Sequence, residues 1–206
     1  MRTKTSRMEK VINLYTESSP NPNSLKFVVN FFIAEGKSFD FPTVEDCDGA
    51  PLAKALFEEF DFAQRVFIAS NFVTLTKDEA TDWYEVIPAV KTFIKEYLTA
   101  EKPVFDENIN KRIEKTEQEE AKEPSGDKEV IESRIKAILA DYVQPAVEQD
   151  GGAIQFHSFE DGVVKVMLQG SCSGCPSSTM TLKSGIENLM KKMLPNDVKE
   201  VVAEGV

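Results

Sequence analysis

Cys172 and Cys175, in "GSCSGCPSST" (residues 170–179), have the types and spacing in this chain best suited to chemistry. The chain has 3 cysteines, and the third, Cys47 in "EDCDGAP", stands far upstream. A C-x-x-C pair aims two soft sulfur donors at one centre, so it can hold a thiophilic metal or exchange thiol for disulfide. Gly170 and Gly174 permit the tight turn this needs, and Ser171, Ser173, Ser177 and Ser178 leave the centre uncrowded.

The flanking residues place the pair between a strand, "VVKVMLQ", and a helix, "TMTLKSGIENLMKKML". Backbone N–H groups and the positive end of the helix dipole favour thiolate over thiol there. Three uses compete. A thioredoxin-like redox motif also joins a strand to a helix, but its domain needs a longer α/β arrangement than a module of about 80 residues with a hairpin directly before the motif. A structural zinc site takes four ligands, and this chain offers one cysteine pair and 1 histidine. That histidine, His157 on "AIQFHSF", shares a face with Gln155 and Phe159, opposite Ile154 and Phe156, and reads as a solvent-facing strand residue rather than a ligand. Cys47 reads as a small filler in a turn. An iron–sulfur cluster takes four thiolates. One chain supplies two, and a symmetric dimer would supply the rest, with the cluster on the twofold axis.

The elements around the pair form the second of two modules. Ile131, Ile135, Ile138, Tyr142 and Val143 recur on one face of a helix that Gly151 stops and Pro145 kinks in its last turn. "AIQFHSF" and "VVKVMLQ" flank Asp161-Gly162, a hairpin signal. After the cysteine loop come a helix carrying Leu182, Ile186, Leu189 and Leu194, ended by Pro195, and a last strand, "VKEVVA". The order is α-β-β-α-β. In the first module, residues 10–100, a strand spans Leu25 to Ile33, "DGAPLAKALFEEF" opens a helix with Pro51 in its first turn, "RVFIAS" and "FVTLTK" pair across Asn71, and a helix through Trp83, Val90, Ile94 and Leu98 closes the unit. The charged stretch 101–129 separates it from the second module, residues 130–206, and reads as a flexible linker that leaves the two mobile. The fold class is α+β, in two small domains.

The whole chain, 206 residues with 41% hydrophobic and 29% charged, is globular in composition. A net charge of −11, with no local basic patch, repels phosphate backbones and argues against a nucleic-acid partner. No apolar run approaches the roughly 20 residues of a membrane span, so no membrane partner is expected. The start "MRTKTSRMEK" lacks a secretory core, and its faint likeness to an organelle transit segment ends at Glu9, so a cytoplasmic location is expected.

"DGGAIQFHSFEDGVVKVMLQGSCSGCPSSTMTLKSGIENLMKKML" resembles the C-terminal domain of NifU-type proteins, the Nfu scaffolds and carriers of iron–sulfur cluster assembly, through most of residues 130–203. "PNPNSLKF", "APLAKALF", "NFVTLTK" and "DWYEVIPAVKTFI" are similar to the Nfu N-terminal domain. The resemblance implies that Cys172 and Cys175 are the cluster and metal ligands. It implies a [4Fe–4S] cluster held transiently between two chains, with [2Fe–2S] as the other form. It also implies a homodimer through the cluster, upstream donors, recipient apoproteins, and a carrier rather than an enzyme. It assigns no cluster role to the first domain, for which docking a recipient or restraining the second domain are the candidates. The cysteine-rich segments of full-length nitrogen-fixation NifU have no counterpart here. Thiol–disulfide oxidoreduction by the same pair is the rival reading.

Overall fold

The computed structural model describes residues 11–109, 126–173 and 176–205. In the first of two modules, strands β1 (Leu14–Ser18), β2 (Ser24–Val29), β3 (Ala34–Phe41), β4 (Ala63–Ser70) and β5 (Phe72–Lys77) form an antiparallel sheet in the order β1-β2-β5-β4-β3. Alternation sorts the side chains of the inner strands. Phe27, Val29, Val66, Ile68, Val73 and Leu75 point to one face, where Leu52 and Leu56 of helix α1 (Pro51–Glu59) and Val90 and Ile94 of helix α2 (Trp83–Thr99) cover them. Lys26, Val28, Phe67, Ala69, Phe72 and Thr74 occupy the other face by the same alternation, and neither α1 nor α2 covers it.

Local chemistry accounts for the helix starts. Pro51 stands in the first turn of α1, where its missing N–H costs nothing, and the Asp82 side chain accepts the Tyr84 N–H at the start of α2. The expected β4–β5 hairpin is present, turning through Ser70 and Asn71. Strands β1 and β3 lie where no strand is expected from the sequence.

The expected linker is shorter at both ends within the described residues. Val104, Phe105 and Ile109 pack on the first core, with the Phe105 ring 4.7 Å from that of Phe39, and a helix already starts at Asp127. The apolar side chains at 104, 105 and 109 outweigh the charges around them. The middle, 110–125, lies outside the described residues.

In the second module, helix α3 (Asp127–Ile138), a π-helical turn (Leu139–Val143) and helix α4 (Gln144–Gln149) run on without a break. Strands β6 (Gly152–Glu160) and β7 (Val163–Gly170) form the hairpin at Asp161-Gly162, and helix α5 (Pro176–Met193) crosses over to β8 (Glu200–Gly205), parallel to β7. The sheet order is β6-β7-β8. Its core packs Ile135, Leu139 and Val143 against Val164, Val166 and Leu168, with Ile186 and Met190 of α5 and Leu194 just beyond it closing it. The α-β-β-α-β reading therefore stands.

Two details differ from the expected faces. Pro145 cannot donate a backbone hydrogen bond, and the Gln144 N–H instead reaches Leu139 O, a widened turn. The helical phase slips, so Tyr142 is 60% exposed and Leu139 takes the core place expected for it. A bulge between Phe156 and Ser158 likewise turns Phe159 to the core side, away from His157.

Candidate functional site

The cysteine loop follows the end of β7. Gly152 pairs with Gly170 at the last register position of the β6–β7 ladder, so the turn after α4 and the start of the loop lie side by side. Ser171 fastens the two: its N–H donates to Gly151 O at 3.3 Å and its hydroxyl donates to Asp150 O. The Ser173 N–H closes the loop onto Gly170 O at 3.1 Å. Ser171 and Ser173 are both buried, and these bonds answer the cost of taking their polar groups from water.

Cys172 sits on this platform and is 4% exposed. It belongs to the second module's core, and the Ser171 hydroxyl lies 3.9 Å from its Sγ. Its seat is shaped by an absent side chain: a Cβ on Gly152 would stand 2.9 Å from Cys172 Sγ and 2.5 Å from Gln169 O. Gly170 has φ +64°, a left-handed conformation that glycine adopts without strain, and turns the chain out of β7 toward Cys172. Cys175 lies outside the described residues, immediately before the first residue of α5.

The open face of the first sheet rests on this platform. Asn21 Nδ2 donates to Ser171 O at 3.1 Å. Lys26 Nζ donates to Glu148 O at 3.1 Å and Gln149 O at 3.4 Å, the last carbonyls of α4, where the helix presents the negative end of its dipole. The same ammonium is 3.1 Å from Glu17 Oε2 and 4.3 Å from the Phe72 ring centroid. Val28, Phe67, Ala69 and Phe72 form a small apolar cluster with Ala153 of β6. Burial pushes the Asp150 carboxyl above its ordinary range, and Lys26 opposes that rise.

The other sequence candidates lie elsewhere. Cys47 is buried in the first module's core, its Sγ donating to Thr43 O at 3.5 Å, as expected of a filler. His157 is exposed on β6. Among the described residues, no three His, Cys, Asp or Glu side chains gather as a metal site. Sequence reasoning missed Gly152 as the wall of the cysteine seat and Asn21 and Lys26 as contacts to the platform. The pair Gly151-Gly152 is the available signal, of which the helix stop uses Gly151 alone. No described helix is long and apolar enough to cross a membrane.

Comparison with known proteins finds two family models. The NifU-like domain matches residues 135–202, and the scaffold protein Nfu/NifU N-terminal domain matches residues 14–101. The chain is 35% identical over 194 residues to "NFU1 iron-sulfur cluster scaffold homolog, mitochondrial" of Drosophila willistoni, covering 91% of this chain and 62% of that protein. It is 38% identical over 193 residues to "NifU-like protein 4, mitochondrial" of Arabidopsis thaliana, covering 93% of this chain and 65% of that one. The chain thus spans less than two thirds of the length of these relatives. A solution structure of a NifU-like protein from Saccharomyces cerevisiae aligns with 52% of this chain and 95% of its own, at 20% identity and a TM-score of 0.44.

These relatives overturn the cytoplasmic expectation, since both are named mitochondrial. The expectation rested on a missing secretory core and a missing membrane span, which bear on export and insertion, and on setting aside the transit-like start because of Glu9. A matrix-targeting segment needs neither, being basic, Ser-rich and amphipathic.

Proposed function

The chain belongs to the NifU-like family whose members carry the Nfu N-terminal domain, and from that premise we propose that it is a carrier, not an enzyme, with an iron–sulfur cluster as its cargo. Cys172 and Cys175 are the two thiolates this chain contributes. A second copy contributes the other two, so the cluster bridges two chains, and a recipient apoprotein with its own set of cysteines draws it away. The [4Fe–4S] form is the cargo we assign.

The observation that carries this reading is the construction of the Cys172 seat. A glycine wall, a glycine exit from β7 and two buried serines place one sulfur in a tight loop, with a second cysteine three positions on. The printed name of the Drosophila relative, an iron–sulfur cluster scaffold, supports the choice of cargo. Soft thiolates suit iron–sulfur clusters, and half of a four-thiolate set explains why one chain needs no further ligand. Cluster binding then appears as association energy, because the chains meet through the shared iron.

Anaerobic reconstitution of the full chain with iron and sulfide tests the proposal. About four iron and four sulfide per dimer, with a visible absorption band lost in Cys172→Ser and in Cys175→Ser, is the expected result. Disulfide reduction without a chromophore would instead establish the oxidoreductase. A complete cluster in Cys172→Ser would overturn the ligand assignment.

A further inference from the structure

We propose that the open face of the first module's sheet is a docking surface for the cysteine loop of the chain's own second module, and that the docked state withholds Cys172 from its cargo. The inference rests on the carrier reading only for the word cargo; the docking stands on contacts already described.

The contacts converge on the residues that build the cysteine seat. Asn21 holds Ser171, the neighbour of Cys172. Phe67 lies under Gly170, where a Cβ would stand 2.9 Å from its ring. Lys26 closes the end of α4, two residues before the Gly151 carbonyl that receives the Ser171 N–H. The first module therefore grips both strands of chain that frame the loop, while Cys172 is 4% exposed. A sulfur that must bridge to iron shared with a second chain has to face outward, and the first module's hold on Gly170 and Ser171 keeps the loop with Cys172 turned into the second module's own core.

The interface has the composition of a contact made to open. Its apolar part is one small cluster of Val28, Phe67, Ala69, Phe72 and Ala153, far from the large apolar surface of a permanent interface. A charged amine supplies its main polar bonds. Among the described residues, Thr74 Oγ1 on this face is buried with no hydrogen-bond partner, and opening would return it to water. Lys26 would likewise regain its hydration, so part of what docking forms is given back on release.

The test reads Cys172 in the full-length apo chain, in a Cys175→Ser background so that one loop thiol remains. Cys47, inside the first core, is the internal control. Lys26→Met keeps the apolar stem over Phe72 and removes the bonds to Glu148 O and Gln149 O; Asn21→Ala removes the bond to Ser171 O. Together they should raise alkylation of Cys172 at least about tenfold, as expected for loss of charge-assisted bonds, with Cys47 and the fluorescence of Trp83 unchanged. Small-angle scattering should show the wild-type apo chain compact and the double variant expanded. If the double variant perturbs Trp83, Ala153→Glu, which loads the interface from the second module, should give the same rise. Unchanged Cys172 labelling in the folded variants, or separated modules in the wild-type apo chain, overturns the proposal. These readouts need no cluster. A chain whose labelling responds as expected but which takes up no iron and sulfide would refute the carrier and leave the docking intact.

Discussion

Replacing Gly152 by alanine tests whether Cys172 is held in a close-packed seat. The added Cβ would stand 2.5 Å from Gln169 O, 2.9 Å from Cys172 Sγ and 3.3 Å from Cys172 N, where ordinary contact begins at 3.4 Å. The clash at the carbonyl is the worst, and that oxygen belongs to a strand backbone paired with Ala153, so it cannot swing aside like the tip of a flexible side chain. A gap of roughly 1 Å must open between β6 and the start of the loop, and overpacking of this kind costs about 1–3 kcal/mol. In a module of this size each kcal/mol lowers the midpoint by about 4–8 °C, so the second module should melt roughly 5–20 °C earlier. Far-ultraviolet circular dichroism follows both modules, while the chain's 1 tryptophan, Trp83, reports only the first and should keep its own transition. The same shift moves the sulfur, so reconstituted Gly152→Ala should bind less than half the wild-type iron. An unchanged melting curve together with a full complement of iron would show that the seat is loose and that the Gly152 wall has no part in holding the thiol.

Cys47→Ser should keep the bond to Thr43 O, lose about 1 kcal/mol by placing a hydroxyl in the first core, and leave iron content unchanged, as read by urea unfolding and iron analysis. The Lys191 ammonium, with the Val201 N–H, holds the Glu187 carboxyl below its ordinary value of 4.5. A depressed acid stabilises above its unfolded value and loses that contribution as pH falls through the folded one. Urea midpoints of the second module should therefore drop below about pH 4.5 in wild type, and Glu187→Gln should flatten that drop. Sedimentation should show apo chain as monomer and cluster-loaded chain as dimer, returning to monomer when a cysteine-rich apoprotein is added; a dimer indifferent to cluster loss would refute the bridging.

Much of the second module was legible because its signals agree at every level: a helical apolar stripe, an Asp-Gly turn between alternating runs and a proline that stops the last helix. The misses have separate physical causes. β1, "LYTES", is an edge strand that pairs on one side only, and it carries few of the β-branched residues that mark a buried strand. β3, "AEGKSFDF", is broken by Gly36 at φ +65° and a register shift between Ala34 and Ser38, so its alternation never repeats long enough to read. Phe159 and Tyr142 went to the wrong faces because a bulge and a widened turn each add a residue to a period that sequence counting assumes constant. The loop cysteines were marked out as candidates by type and spacing. Their surroundings were not, because Asn21 and Lys26 act on residues more than a hundred positions away and look like ordinary solvent-facing side chains in their own strand and turn.

The widened turn at Leu139–Val143 makes this protein more sensitive to length than to identity along the helical stretch from 127 to 149. Each residue of an α-helix advances the chain by about 100°, so deleting one residue from the turn would rotate everything after it by about that angle. Val147 would leave the core, and the carbonyls of Glu148 and Gln149 would emerge away from Lys26. A substitution such as Asp141→Ala, at an exposed position, changes none of this. Insertions and deletions between 139 and 149 should therefore be far more damaging than point changes at the exposed positions there, and a one-residue deletion should disrupt the second core and the seating of the first module in a single event.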